Sequence, residues 1–565
     1  LAKKEAESQL LLDSVLMGVV GGFAALIFAW MLHKCDELFL VMGAGYHHPA
    51  LPSEGGTLQQ VIGPHGLWLV IPMIVIGGLI SGFLVYTWAP EAEGHGTDTA
   101  VKSYHRAGGF IRARVAPLKM VASAITIGSG GSAGREGPTA LIGAGFGAVY
   151  ATLRHRTDEE RRLLVVIGMG AALSAIFRSP IGTALFAIEV LYGSLQFESS
   201  ALLYSLIASI VAYAIEGAFV GWKPLFHVPQ SLPTPTPPDY LWYAALGLAA
   251  GVIATILPFF FYELRDAFRL LPISNKLKPA IGALGVGLIA LAFPQILGGG
   301  YGWIQEAISG HLAIKLMLIL VFVKMVAFAL TVSSGGSGGV FAPNLYVGAM
   351  LGGAFAMLFN QPSPDFAVVG MAAVFGGAAR VPFATLVMVL EMTGGYRLLG
   401  AAALAVLISY VVQTRLCSFL KLKYHSMYEA QVPDRAASPA HYAEYLRVGL
   451  NLLGKKKALE SSHLEHLNVM TLLRSGVSVD LPEGKQILGF EVPPESNYLG
   501  CQVQRCSEEA GETNVEIIVI LRGKDVLLPN PESAFKAGDR LLVIVSSQGR
   551  EWLDNHFVRL NAKEK

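Results

Sequence analysis

Apolar residues run in long blocks through the first 430 residues, but few of these blocks have the simple length of a spanning helix. Residues 14–32 are uncharged and long enough to cross a hydrocarbon core of ~30 Å, and residues 66–88 form a second uncharged run. The run at 163–192 is interrupted by Arg178, Pro180 and Glu189. Further runs lie at 201–215, 241–262, 281–293, 312–332, 340–359, 366–391 and 398–412, several of them short or broken. Such a pattern predicts tilted and re-entrant helices. Non-helical backbone is tolerated at membrane depth only where protein surrounds it or it lines a watery cavity. Residues 90–98, polar and glycine-bearing between two apolar blocks, are a candidate for that role, whereas the proline-rich stretch 229–238 reads as an extended connector. Lys3 and Lys4 ahead of the first block place the N-terminus in the cytoplasm by the positive-inside bias. No cleavable signal is expected, because no small-residue cleavage site with a polar region follows that block.

Charge returns after residue 410. Residues 421–434 lead out of the membrane, and Lys455-Lys456-Lys457 marks a cytosolic linker. Residues 480–550 read as a small soluble domain, with strands at 515–520 and 540–545 and a turn at Arg522-Gly523-Lys524-Asp525.

The chain repeats itself. Arg178-x-Pro180-x-x-Thr183 followed by Glu189 recurs as Arg380-x-Pro382-x-x-Thr385 followed by Glu391, an offset of 202, and Gly168-Met169 recurs as Gly370-Met371. Ser129-Gly130-Gly131-Ser132-x-Gly134-x-x-x-Pro138 recurs as Ser334-Gly335-Gly336-Ser337-x-Gly339-x-x-x-Pro343, at offset 205. Two halves of about 200 residues, each with a helix opened by glycine and serine, have the form of transporter repeats, in which the matching broken helices mark the binding site. Repetition alone leaves open whether the halves are inverted. Arg178, Glu189, Arg380 and Glu391 are expected to form paired structural charges at the cytoplasmic end.

Composition agrees with a polytopic membrane protein: 53 % of the 565 residues are apolar, 15 % are charged, and there are 63 glycines that let helices approach closely. A net charge of +1 without a basic aromatic patch gives no sign of a nucleic-acid partner. Cys35, Cys417, Cys501 and Cys506 are too scattered for a disulfide framework or a metal site.

The chemistry concentrates in Gly128-Ser129-Gly130-Gly131-Ser132-Ala133-Gly134-Arg135-Glu136-Gly137-Pro138. Glycines let the backbone present N–H groups to an anion, and Pro138 suits the first turn of a helix expected over 139–152. That helix spans only ~21 Å. Arg154, His155, Arg156, Arg161 and Arg162 follow; if they lie at the cytoplasmic surface, the positive N-terminal end of the helix lies inside the membrane. A helix N-terminus at that depth is an anion site, with Glu136 at its mouth. The plainer reading of Glu136 is a carboxylate satisfying free N–H groups at a helix start.

Gly134-Arg135-Glu136-Gly137-Pro138 resembles the glutamate-gate motif of the CLC family of chloride channels and chloride/proton antiporters. Gly336-Ser337-Gly338-Gly339-Val340-Phe341-Ala342-Pro343 resembles its second anion-site motif, and the pair covers most of residues 10–430. The resemblance implies an all-α polytopic membrane protein of inverted-repeat CLC fold, with residues 1–430 as the transmembrane domain and halves at roughly 10–220 and 240–430. It also implies a homodimer in the plasma membrane with both termini cytoplasmic, chloride as substrate, and no cofactor or enzymatic activity. Glu136 is then gate and proton carrier. Gly134, Arg135, Gly137, Val340 and Phe341 belong to the anion site, where backbone N–H groups hold chloride loosely enough to conduct; glycine-mediated helix packing is the plainer alternative.

Ser426-Met427-Tyr428-Glu429-Ala430 resembles the family segment whose tyrosine hydroxyl donates to the inner anion, a membrane-interface tyrosine being the rival. Where the family reads Gly-Ser-Gly-Ile-Pro, this chain reads Gly94-His95-Gly96-Thr97-Asp98. His95 replaces the serine that touches the central anion, unless its ring points away and only its backbone matters. The second, inner glutamate of the antiporters is replaced by Val190, as in the channel branch, which favours passive conduction over exchange. Fluoride preference fits less well, since Gly137-Pro138 and Tyr428 follow the chloride pattern.

After a linker at 431–479, residues 480–565 resemble the C-terminal module of the TrkA and RCK potassium-transport regulators, through Arg522-Gly523, Pro529-Asn530-Pro531 and Ala537-Gly538-Asp539-Arg540-Leu541. That α/β domain implies a small-molecule or nucleotide ligand, or a dimer clamp. Outside the resemblance, Ser129 or Ser132 with His95 allows an intramembrane serine hydrolase. Against it, Ser-Gly-Gly-Ser recurs in the second half, where a nucleophile needs no copy. No lysine follows these glycines in Gly-Lys-Ser/Thr form, which excludes a P-loop.

Overall fold

A computed structural model describes residues 2–229, 233–435, 437–440, 479–480, 486–502, 515–522, 525–527 and 534–559, and the architecture below concerns these residues. They belong to two compact units, Leu1–Asp434 and Arg435–Lys565. The expected lysine linker, Cys506, the Gly523-Lys524 turn and the Pro529–Pro531 motif lie outside the described residues.

The first unit is helical. Its first half runs α1 (Ala2–Asp36), α2 (Val70–Trp88), α3 (Thr97–Arg106), α4 (Val115–Gly128), α5 (Glu136–Leu153), α6 (Asp158–Phe177), α7 (Pro180–Glu189) and α8 (Ser199–Val220). Its second half runs α9 (Asp239–Leu270), α10 (Lys278–Ala290), α11 (Tyr301–Ile308), α12 (Ile314–Ser333), α13 (Phe341–Leu358), α14 (Ser363–Ala378), α15 (Pro382–Thr393) and α16 (Leu399–Phe419). Between α1 and α2 lies a two-stranded ribbon of β1 (Tyr46–His47) and β2 (Val61–Ile62). Among the described residues, seven helical segments are long and apolar enough to cross a membrane. The chain is a multi-pass membrane protein.

The broken runs are real breaks. Residues 163–192 divide into α6 and α7 at Arg178, which is left-handed at φ 54° and ends α6 as its C-cap. Residues 366–391 divide in the same way at Arg380, φ 56°. A proline then starts each following helix, where its missing N–H costs nothing. Helix α6 begins with a capping box in which Thr157 and Glu160 exchange backbone hydrogen bonds. The helix expected over 139–152 starts earlier, at Glu136, so its 18 residues reach ~27 Å, still short of a full crossing.

The four repeat charges do not pair with one another, contrary to expectation. Arg178 Nε donates to Glu216 Oε1 at 3.0 Å, while Arg380 Nε donates to Gln413 Oε1 at 3.2 Å. The two glutamates instead cap each other's half. Glu391 accepts from Ser179 Oγ (2.6 Å), Ile181 N (3.2 Å) and Gly182 N (2.8 Å) at the start of α7. Glu189 accepts from Phe383 N (3.2 Å) and Ala384 N (2.6 Å) at the start of α15. Each carboxylate near a helix C-terminus satisfies the free donors at the other's N-terminus, so α7 and α15 lie antiparallel. The halves are therefore inverted, which places Arg178 and Arg380 at opposite ends and not together at one.

The second unit is a small antiparallel sheet: β3 (Val479–Asp480), β4 (Gln486–Glu491), β5 (Val515–Arg522), β6 (Asp525–Leu527), β7 (Arg540–Val545) and β8 (Val558–Arg559), with α17 (Ser547–His556) before the last strand. Its order is β3-β4-β7-β5-β6, with β8 on β4. Alternating residues of β4 and β7, Leu488, Phe490, Leu541, Val543 and Val545, point to one buried core with Ile520 and Phe557. Arg522 grips Asp539 with two parallel hydrogen bonds of 2.9 and 2.8 Å, and Lys536 N adds a third at 2.8 Å.

Candidate functional site

Two repeat-equivalent glycines cross at the centre of the first unit. Gly134 N donates to Gly339 O at 2.8 Å and Gly339 N to Gly134 O at 2.6 Å. The approach requires glycine: a Cβ on Gly339 would stand 2.7 Å from Gly137 N and 3.0 Å from both Gly134 O and Glu136 Oε2. Around this bridge, helices begin. Thr97, Glu136 and Phe341, the first residues of α3, α5 and α13, line one narrow slit with Tyr428, Phe177, Phe186 and Met388. Tyr301, the first residue of α11, donates its phenol to Glu136 Oε1. Helix starts carry partial positive charge and free N–H groups, so the three that meet at the slit favour an anion there, with the charges of Arg135 and Lys324 acting on Glu136 as well.

Glu136 is 3 % exposed. One oxygen is held by Tyr301, while Oε2 is buried beside Gly134 and Gly339 with no hydrogen-bond partner. A carboxylate in that position occupies the place of an anion. Neutralising it removes the reason for it to stay.

The loops that carry α3 and α11 are fixed by two buried lysines, again repeat-equivalent. Lys119 Nζ donates to Ala92 O (2.9 Å) and Gly94 O (2.6 Å); Lys324 Nζ donates to Ile296 O and Gly298 O, both at 2.8 Å. Buried backbone carbonyls of an irregular loop need such donors.

Two cavities lie near these elements, lined by sequence neighbours of the slit residues. One, of about 470 Å³, is lined by Glu54, Arg135 and Tyr301 among others. It lies at the Arg178 end, since Arg178 Nη2 donates to Ser53 O. The other, of about 830 Å³, is lined by Glu93, His95, Asp98, Arg265 and Glu429 among others. It lies at the Arg380 end, where Met427 N and Ser426 Oγ bond to Ala378 O and Ala379 O.

The expected site residues fall unevenly over this arrangement. Gly134, Glu136, Gly137, Phe341 and Tyr428 meet at the slit, with Val340 as the N-cap residue of α13. Arg135 has its side chain turned away: Nη2 pairs with Glu54 at 2.6 Å and the guanidinium lies 4.7 Å over the Tyr301 ring. His95 lines the larger cavity, its ring 5.6 Å from that of Tyr428, and its Nε2 is 3.1 Å from Asp98 Oδ2. The slit is lined by Thr97, two residues further on, and not by His95. Val190 is fully buried at the C-cap of α7.

Ser129 has a structural role: its hydroxyl donates to Thr126 O, as Ser334 does to Thr331 O. Among the described residues neither Ser129 nor Ser132 is bonded to His95, so the hydrolase alternative has no nucleophile–base pair. Thr97, Tyr301, Lys119 and Lys324 escaped the reading of the sequence. The lysines carried a signal, since both stand in apolar runs at the repeat offset of 205.

Residues 77–414 match the family described as voltage gated chloride channel, and residues 487–557 match the TrkA-C domain. An H(+)/Cl(-) exchange transporter, ClcA, of Salmonella paratyphi A is 32 % identical over 382 residues, covering 65 % of this chain and 79 % of the relative. A solved CLC-type fluoride/proton antiporter superposes with TM-score 0.63 at 25 % identity, covering 75 % of this chain and 98 % of that one. A slow cyanobacterial Cl-/H+ antiporter gives TM-score 0.63 at 23 % identity, covering 74 % and 96 %, a likeness of fold.

Proposed function

Because this chain belongs to the voltage-gated chloride channel family, CLC, and so to a family of anion transporters, we propose that it exchanges chloride for protons across a lipid bilayer. The observation that carries the reading is the state of Glu136: a buried carboxylate at the start of α5, beside the starts of α3 and α13, with one oxygen on Tyr301 and the other buried without a hydrogen-bond partner. Chloride and the ionised carboxylate compete for the same positive field. Protonation lets the side chain leave and chloride enter, which couples the two ions by mutual exclusion. Backbone N–H groups and the hydroxyls of Thr97 and Tyr428 then hold the anion, each a neutral donor that releases it again. The names of the relatives point the same way. Each subunit of a homodimer would carry its own path, and the C-terminal unit would bind a small ligand that biases it.

One residue favours a second reading. Val190 cannot carry a proton, and a path without an inner acceptor would conduct chloride passively, as a channel does. Liposomes loaded with chloride and diluted into a low-chloride medium separate the two, with efflux and external pH recorded together. Exchange requires the medium to become alkaline as chloride leaves, and Glu136→Gln to abolish the proton movement while chloride still flows. Chloride efflux with no proton movement in the wild type would leave passive conduction.

A further inference from the structure

His95 stands where a path for protons would begin. It is 7 % exposed, on the wall of the 830 Å³ cavity, with its ring packed against Tyr428 and Phe261 at 5.6 and 6.3 Å. Its Nε2 faces Asp98 Oδ2 at 3.1 Å. The Asp98 carboxylate also accepts Glu429 N (3.2 Å) and Ala430 N (3.1 Å), so it is held in place from two segments. An ionised carboxylate only accepts, which fixes the hydrogen of neutral His95 on Nε2 and leaves a lone pair on Nδ1. That Nδ1 is buried and has no partner. In this tautomer it repels an anion. Once protonated it becomes an N–H donor with positive charge, and attracts one.

We propose that the His95–Asp98 pair is the inner proton-loading site of this transporter, doing the work that Val190 cannot, and that it takes up its proton together with chloride. The inference rests on the exchange reading above for its role in transport, though not for the linkage between proton and chloride. In loading, an O–H bond of a hydronium or buffer acid in the cavity breaks and an N–H bond forms at Nδ1, giving imidazolium. In unloading, that N–H breaks and an O–H bond forms on the carboxylate of Glu136, which lines the slit with Tyr428.

Other charges face His95 and shape the response. Asp98 comes from α3 itself, with Lys102 and Arg106 further along the cavity wall. Helix α9 contributes Arg265 and Arg269, the segment after α16 contributes Tyr428 and Glu429, and the preceding loop contributes Glu91 and Glu93. Lys119 of α4 is occupied with the carbonyls of Ala92 and Gly94, on the same loop. Arg265 is paired with Glu429 and Arg269 with Asp266, while Asp98 is the carboxylate bonded to the ring.

Two measurements on the full-length protein test this. In liposomes, the ratio of protons to chloride is compared for wild type, His95→Asn and His95→Gln, two neutral replacements of different length. The proposal expects the ratio to fall at least threefold in both, beyond any fall in chloride turnover. In detergent, Glu136→Gln protein is titrated with sodium chloride in weak buffer containing a pH indicator, at a series of starting pH values. Chloride should draw protons from solution, and adding His95→Asn should abolish this uptake while chloride still binds more weakly. An unchanged ratio together with unchanged uptake in the histidine variants would overturn the proposal. If the wild type moves no protons at all, the exchange reading fails on its own. The uptake measurement then still decides whether His95 links chloride to a proton.

Discussion

The reciprocal caps at α7 and α15 give the most direct quantitative prediction. In Glu391→Ala, Ser179 Oγ, Ile181 N and Gly182 N lose one shared acceptor inside the protein. A hydrogen bond to a charged group contributes about 1.5–3 kcal/mol net, and the three share one carboxylate, so their contributions do not add fully. Removing a desolvated charge recovers part of the loss. A net cost of about 3–5 kcal/mol follows for Glu391→Ala. For Glu189→Ala, with two donors, the corresponding figure is about 2–4 kcal/mol. Glu391→Gln keeps an acceptor oxygen and should cost about 1–2 kcal/mol. Thermal inactivation of the detergent-solubilised protein, followed by loss of the monodisperse peak, should rank the variants in that order. Since Glu189 is fully occupied with the start of α15, Glu189→Gln should lower stability without lowering the proton-to-chloride ratio. A wild-type midpoint for Glu391→Ala would refute the capping argument, as would a Glu189→Gln variant that loses proton coupling at unchanged stability.

Two further outcomes are expected. Tyr301→Phe removes the donor to Glu136 Oε1, a bond worth about 1.5–3 kcal/mol, which displaces the gate's equilibrium towards release by roughly ten- to a hundredfold. Chloride efflux should rise, and unchanged or slower efflux would remove Tyr301 from the gate. Asp539→Ala breaks the bidentate grip on Arg522 and the bond from Lys536 N, and should destabilise the C-terminal unit by about 2–4 kcal/mol. Hydrogen–deuterium exchange of the full chain should show faster exchange in β5 and β7 and an unchanged first unit.

Local signals in the sequence reached as far as single elements and single partners. Glycine and serine around Glu136 and Phe341 marked the helix starts, and the matching offsets marked the two halves, because both are patterns of residue type and spacing. Orientation was another matter. A repeat reads the same whether its copies are parallel or inverted, and only the crossed bonds of Glu189 and Glu391 decide it. The same limit misdirected the charges, since Arg178 and Glu216, 38 residues apart, meet through the packing of α6 against α8. Thr97 carries no mark of its own in Gly94-His95-Gly96-Thr97-Asp98, where His95 stands in the serine's place. The turn through Gly96, at φ 84°, puts Thr97, two residues later, in the slit's lining and leaves His95 on the cavity wall. Tyr301 had no local signature, being an aromatic at the start of a short helix.

The crossed caps also impose an order on biosynthesis. Ile181 and Gly182 are inserted with their N–H groups open, and the carboxylate that closes them is encoded some 210 residues later (391 − 181). At ~5–20 residues per second a ribosome needs roughly 10–40 s to deliver it. Until then these donors lack the acceptor that the folded protein gives them, which costs several kcal/mol each wherever water is excluded. The start of α7 therefore gains its acceptor only after the second half has been made, and the start of α15 finds its own already waiting.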